Sequence, residues 1–395
     1  MQMSYLWNVH QREALTFESG KGVFLFNKNS LLQKRRYLDF NAGGAVNSLG
    51  YSNKGIVKAL KRQSGKIWHL SNYYQNNLAE KLAKKLCNLA KMDKAFFVNS
   101  GSEGVEFALK VARRFFYSKE VGKHEIISLK RGYHGRTMGA LSASSNLKYR
   151  EGFEPLCGGF VQVNENLAEI EDTISSKTCA IILEPVQGAE GMHFLGWDFL
   201  KGVRKMCDKH GILLILDEVQ TGIGRLGSFF AFEKADIKPD IVVLSKGIAG
   251  GFPFGAVLSS EEIANEMPQG GHGGTFGGNL LGVSVALEAI SQISKPSFLE
   301  NVISSSAMLD FFLQDLQHSF PHIIQELRGF GLMRGLKITD KIDVKNLIST
   351  ISRQEELLCG TASGNVLRIT PPLIIKPEEI KYGMTRLQRL FSKLN

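Results

Sequence analysis

The sequence predicts an α/β protein: a large domain built on a mostly parallel central sheet with helices on both faces, plus a smaller α/β domain made from both termini. Three observations carry this. Short apolar runs without alternation recur through the middle of the chain, as expected of strands covered on both sides. Helical patterns fall between them, which is the rhythm of a parallel sheet. The two ends read differently, with antiparallel strands and turns at residues 17–40 and mostly helix from about residue 286 onward.

The elements follow in order. Residues 95–98 read as a short strand, and 104–116 as a helix with Val105, Ala108, Leu109, Ala112 and Phe116 on one face. The runs 125–129, 179–183, 212–216 and 240–244 read as strands, with a helix at 199–210 between two of them. Near the C-terminus, 329–336 and 366–375 read as strands. We place the small domain at 1–49 and 286–395 and the large one at 50–285. Ligands of such a sheet sit beyond the carboxyl ends of its strands.

Composition narrows the functional classes. Hydrophobic residues at 43% and charged residues at 22% suit a globular chain with a large core. The formal net charge of +10 favours anionic small molecules. Nucleic acid is not expected as a partner: the basic residues are scattered, the longest run is Lys34-Arg35-Arg36, and no DNA- or RNA-binding signature is present. Cys87, Cys157, Cys179, Cys207 and Cys359 are far apart and form no C-x-x-C pair. That spacing is expected of reduced thiols in a cytoplasmic protein, not of disulfides or a zinc site. His318 and His322 have helical spacing, but Pro321 lies between them, so they read as surface histidines. No apolar run approaches the ~18 residues of a membrane span, and residues 1–12 lack the apolar core of a secretion signal.

Chemistry concentrates at predicted strand ends. Lys246 follows an apolar run and precedes Gly250-Gly-Phe-Pro-Phe-Gly255. A desolvated amine there would be a nucleophile of the Schiff-base kind, although most lysines so placed merely cap strands. Asn99-Ser-Gly-Ser-Glu-Gly104 joins a strand to a helix, and Ser100 with Glu103 fits a capping box. Its free N–H groups at Gly101 and Ser102 could hold a phosphate, or the motif could be a plain cap. Asp217 and Glu218 end an apolar run and should point to opposite faces. One of them could pair with a cationic ring nitrogen; a cap or a metal ligand is the other reading. Gly222-Ile-Gly-Arg-Leu-Gly227 matches a dinucleotide fingerprint in letters only, since it does not join a first strand directly to a helix. Tyr133 could stack on a flat ring. Arg136 and Arg368 could each clamp a carboxylate, or serve as structural ion pairs.

Taken together, these residues resemble the class III, pyridoxal-phosphate-dependent aminotransferases. The motifs Val46-Asn-Ser-Leu-Gly50, His134-Gly-Arg-Thr137, Glu184-Pro-Val-Gln-Gly188, Asp217-Glu-Val-Gln-Thr-Gly-Ile-Gly-Arg225, Ser245-Lys-Gly247 and Gly274-Thr-Phe-Gly-Gly-Asn279 occur in the family's order. The likeness is nearest to members that use N2-acetylornithine as amine donor. It implies fold type I, pyridoxal 5'-phosphate as cofactor, and a homodimer with shared active sites. Lys246 would hold the cofactor covalently and shuttle a proton. Asp217 would pair with the ring nitrogen, with Glu218 beside it, Val219 and Tyr133 on the two ring faces, and Gln220 at the ring hydroxyl. Gly101, Ser102 and the Thr275 of a second subunit would take the phosphate. Arg136, Arg368, Glu184 and Gly274 would shape the substrate site. The implied reaction moves the terminal amine to 2-oxoglutarate. Ornithine, 4-aminobutyrate and succinyl-diaminopimelate are alternative donors. Three positions depart from the family pattern. Ala189 stands where a glutamate usually pairs with the Arg368 counterpart, Gly274 replaces a serine, and His10 stands where tyrosine is common. From strand alternation, Glu190 is not expected to reach Arg368 in place of the missing glutamate.

Overall fold

Residues 5–27 and 35–394 are described by the computed structural model. Residues 1–4 and 28–34, including Lys34 and part of the predicted N-terminal strands, lie outside the described residues, as does Asn395. The central sheet has seven strands. Across the sheet these run Lys94–Val98, Gly255–Ser259, Ile241–Leu244, Leu213–Asp217, Thr178–Leu183, Glu125–Leu129 and Phe160–Val163. Only Gly255–Ser259 is antiparallel to its neighbours. The inner strands Thr178–Leu183, Leu213–Asp217 and Ile241–Leu244 are buried along their whole length.

Alternation along these strands feeds two cores. Ala180, Ile182, Leu213, Ile215, Ile241 and Val243 pack with Val105, Ala108 and Ala112 of the helix Gly101–Ser118. Ile181, Leu183, Leu214, Leu216, Val242 and Leu244 belong to the larger core on the other face, with Leu200, Val203 and Cys207 of the helix Trp197–His210. Both faces are therefore dry, which is why the runs show no polar alternation.

Two strands of the central sheet went unanticipated. Phe160–Val163 is a half-buried edge strand of four residues. Gly255–Ser259 starts inside the glycine-rich segment and so reads as loop. The predicted strand at 366–375 ends at Ile369, because Pro371 and Pro372 have no N–H to offer a ladder. Residues 329–336 span the turn of a hairpin between Ile324–Phe330 and Met333–Ile338.

The N-terminal and C-terminal segments share a sheet. Leu357–Leu358 pairs in parallel with Arg35–Asp39 in a sheet with Ser19–Lys21 and Phe24–Asn27. A second antiparallel sheet holds Ile324–Phe330, Met333–Ile338, Val366–Ile369 and Gly360–Ala362. The helix Leu280–Ile293 runs through position 286 without a break and packs on Lys54–Ser64 and Asn77–Ala90.

Candidate active site

The carboxyl ends of the parallel strands deliver the chemistry to one edge of the sheet. Ile241–Leu244 leads into Lys246, which opens a single 3-10 turn, Lys246–Ala249. The Ser245 hydroxyl donates to the Phe254 carbonyl at 2.8 Å, closing the loop behind it. Lys246 itself has a left-handed backbone, φ 44°. That conformation costs a side-chain-bearing residue of order 1 kcal/mol or more, so it persists only where the surroundings dictate it. Lys246 lines a cavity of about 930 Å³ together with Tyr133, Arg136, Glu184, Gln220 and Arg368. Ala189 and His10 are also on its wall.

The ionisable groups here shift one another. Burial pulls the Lys246 ammonium well below the usual lysine range, helped by the charges of Arg368 and Arg225 and opposed by Glu184 and Asp217. Burial, with the Asp217 charge, pushes Glu184 upward against the pull of His134 and Lys246. Glu184 Oε1 accepts from the Tyr133 N–H at 2.9 Å, which fixes the backbone of the 131–137 loop. Burial would lower His134, but its hydrogen bond to Asp217 and the charges of Asp217 and Glu184 outweigh it, and its affinity for a proton rises.

Asp217 is buried, and its alternation in Leu213–Asp217 turns it to the face carrying the helix Gly101–Ser118. One oxygen accepts from Val219 N–H at 3.1 Å, the other contacts His134 Nδ1 at 2.8 Å. Val219 in turn lies against the start of that helix: a Cβ on Gly101 would stand 2.8 Å from Val219 Cγ1. So the acid and the helix N-terminus converge. At that N-terminus Ser100 Oγ accepts from Glu103 N–H at 3.3 Å, and Glu103 reaches back to Asn99, to its backbone N–H at 2.9 Å and its amide at 3.0 Å. The box is closed one residue earlier than the usual pattern. The N–H groups of Gly101 and Ser102 have no intrahelical acceptor, as at any helix start. Gly104 has another job: its Cβ would meet Val243 Cγ1 at 2.8 Å, so it permits close helix-to-sheet packing.

Several expected site residues stand elsewhere. Asp217, Val219, Gly101 and Ser102 are not among the residues that line this cavity. The expectation that Glu218 contacts a cofactor is corrected: its oxygens accept from the backbone N–H groups of Ala231 at 2.7 Å and Phe232 at 2.8 Å, on the opposite face. Gly274 and Thr275 are exposed and off the cavity of this chain. Glu190 bonds Asn146, and Arg368 donates to Asn41 Oδ1 at 3.3 Å, with its Nε left without an acceptor among the described residues. The G-x-G-x-x-G segment is a series of turns, not the start of a helix. His134 is the partner of Asp217. It carries no spacing signal, and only the fold brings residues 134 and 217 together. Among the described residues no cluster of metal-ligating side chains occurs.

These residues fit pyridoxal 5'-phosphate. A buried carboxylate, a cavity-facing amine of lowered proton affinity and a helix start with free N–H groups are the donor set for a cationic ring nitrogen, an aldehyde and a phosphate. Gly101 lets the helix start pack against Val219, whose Cγ1 would stand 2.8 Å from any Cβ there.

Comparison with known proteins agrees with this geometry. The family model for class-III aminotransferases matches residues 8–391. The acetylornithine aminotransferase of Brucella melitensis biotype 1 is 41% identical over 99% of this chain and 96% of its own. Among solved structures, ornithine aminotransferase from Toxoplasma gondii ME49 superposes with a TM-score of 0.94 at 27% identity, covering 99% of this chain and 93% of that one. N-acetylornithine aminotransferase from Stenotrophomonas maltophilia K279a gives 0.83 at 30% identity, with 97% of each chain covered. With a matching family model over nearly its whole length and a lysine, acid and helix start at the expected strand ends, the chain belongs to the class-III aminotransferases.

Proposed function

We propose that this enzyme moves the terminal amine of N2-acetylornithine to 2-oxoglutarate, giving N-acetylglutamate 5-semialdehyde and glutamate, as a cytoplasmic step of arginine biosynthesis. The observation that carries the reading is a cavity with an amine, Lys246, and two arginines, Arg136 and Arg368, neither of which is in an ion pair among the described residues. Donor and acceptor both carry carboxylates, which such arginines bind as forked pairs. The 41% identity to a protein of that activity supports the choice of donor.

Pyridoxal 5'-phosphate, when bound, supplies an aldehyde that condenses with amines and a ring that takes up electron density. The N–H groups of Gly101 and Ser102 would hold its phosphate, Asp217 its ring nitrogen, and Lys246 its aldehyde carbon. His134 holds the Asp217 carboxylate in place. Lys246 Nζ, kept low in proton affinity by burial, takes up and returns a proton near neutral pH. Glu184 orients Tyr133 through its backbone N–H. Arg136 and Arg368 fix the carboxylates, so the reacting carbon stays at the lysine. The reading includes a second copy of this chain, supported by the exposed Gly274, Thr275, Trp68, Tyr73 and Phe276.

A half-reaction screen tests the donor. N2-acetylornithine, ornithine, 4-aminobutyrate and N-succinyl-diaminopimelate are each mixed with the cofactor-loaded enzyme, and the cofactor's visible absorbance is followed. N2-acetylornithine is expected to react with the highest second-order rate constant. Ornithine reacting as fast or faster would move the assignment to the second reading, which the TM-score of 0.94 to an ornithine enzyme favours.

A further inference from the structure

Among the described residues Arg136 has no carboxylate partner, yet its guanidinium is held. Its Cζ lies 3.7 Å from the ring centre of Tyr149 and 5.5 Å from that of Tyr133. The two rings meet edge to face, 5.8 Å apart at 79°. A guanidinium over an aromatic ring is attracted by the negative face, and stacking fixes its plane and therefore the direction of its N–H fork.

The mount of Tyr149 is specific. It sits on the one-turn helix Leu147–Arg150, and its N–H donates to the Asn146 carbonyl at 3.0 Å. Asn146 Oδ1 accepts from the Lys148 N–H at 3.1 Å, so one side chain caps the turn. The amide of Asn146 donates to Glu190 Oε1 at 2.8 Å and, more weakly, to Ser363 Oγ at 3.4 Å. Glu190 is almost fully buried. A buried carboxylate needs a donor, and this one uses Asn146.

We propose that Tyr149 is a positioning residue that sets the plane in which Arg136 presents its N–H fork to a substrate carboxylate, with Asn146 and Glu190 as its mount. The inference rests on the reading that the substrates carry carboxylates, and it deepens that reading by naming what orients the clamp.

Calorimetric titration of the cofactor-loaded enzyme with glutarate tests it. Glutarate is a dicarboxylate with neither amine nor carbonyl, so it binds without reacting. Tyr149→Ala is expected to weaken glutarate roughly tenfold, the scale of a cation–π contact in a partly dry site, while Tyr149→Phe keeps the ring and stays within about twofold. In turnover, Tyr149→Ala should raise KM for N2-acetylornithine by roughly the same factor with kcat within about threefold, and leave N-acetylputrescine, which lacks the carboxylate, unchanged. Undiminished glutarate binding in Tyr149→Ala, equal losses in the Phe and Ala variants, or equal losses for both amines would overturn the proposal, as would wild-type enzyme that binds no glutarate. Should N2-acetylornithine fail as a substrate, the proposed function falls while the glutarate titration still decides on Tyr149.

Discussion

Asp217 and Glu218 are neighbouring carboxylates with opposite surroundings. Asp217 faces a histidine and the site, whereas Glu218 is enclosed and meets only two backbone N–H groups. Burial, outweighing those two bonds, pushes the Glu218 carboxyl up to about 8. Its folded value thus lies above the unfolded value of about 4.3. The stability it contributes is complete below about pH 4 and is lost as pH rises through about 8. Glu218→Gln should therefore be less stable near pH 5 by about 1 kcal/mol, from one mismatched hydrogen bond, but lose less stability between pH 5 and 9. Urea unfolding at several pH values measures both; parallel pH curves for the two proteins would show that Glu218 stays ionised. The adjacent pair was legible from alternation alone. Its division of labour was not, because the donors to Glu218 and the donor to Asp217 come from segments 13 and 83 residues away.

At the level of the element, the helix Gly101–Ser118 joins sheet and site, and its first residue touches Val219. Gly101→Ala would set a methyl 2.8 Å from Val219 Cγ1 and 2.9 Å from Cγ2. Val219 or the helix start must then shift, which costs about 1–3 kcal/mol. Because the shift falls where the phosphate would sit, cofactor affinity should drop roughly tenfold or more while the melting temperature of cofactor-free protein changes by only a few degrees. Titrating pyridoxal phosphate into apoenzyme, alongside thermal melts, separates the two effects. Elements with strong patterns, such as this helix and the buried inner strands, were readable from the sequence. Gly255–Ser259 was not, because a glycine at its start and a neighbouring glycine-rich loop hide a strand whose pairing comes from Lys94–Val98, far away in the chain.

Across the whole molecule, Arg225 links the large sheet's loop to the C-terminal sheet. It is almost wholly buried, and its Nη1 donates to the carbonyls of Leu332 at 3.1 Å and Pro371 at 2.5 Å. No carboxylate pairs with it among the described residues, and burial lowers it to about 9. Its own carbonyl accepts from the Leu332 N–H at 3.1 Å. Pro371 follows the strand that carries Arg368. Arg225→Met leaves two carbonyls without their donor, so a loss of about 2–3 kcal/mol is expected, read as a lower urea midpoint. A weaker hold on the Arg368 strand should also raise KM for 2-oxoglutarate. An unchanged midpoint with unchanged KM would show that water replaces the guanidinium.

The antiparallel strand Gly255–Ser259 has a consequence for how far this protein can be edited. It pairs Gly255 with Val98 on one side and Ala256 with Leu244 on the other. The strand before Lys246 and the strand before Gly101 are thus indexed to each other through five residues of ladder. A single residue inserted into 245–254 would have to be absorbed as slack in the loop or passed on as a one-step slip of that ladder, and a slip turns every side chain of the strand to the wrong core. The reach from the lysine to the helix start is a matter of counting residues, and the loop between them works as a ruler.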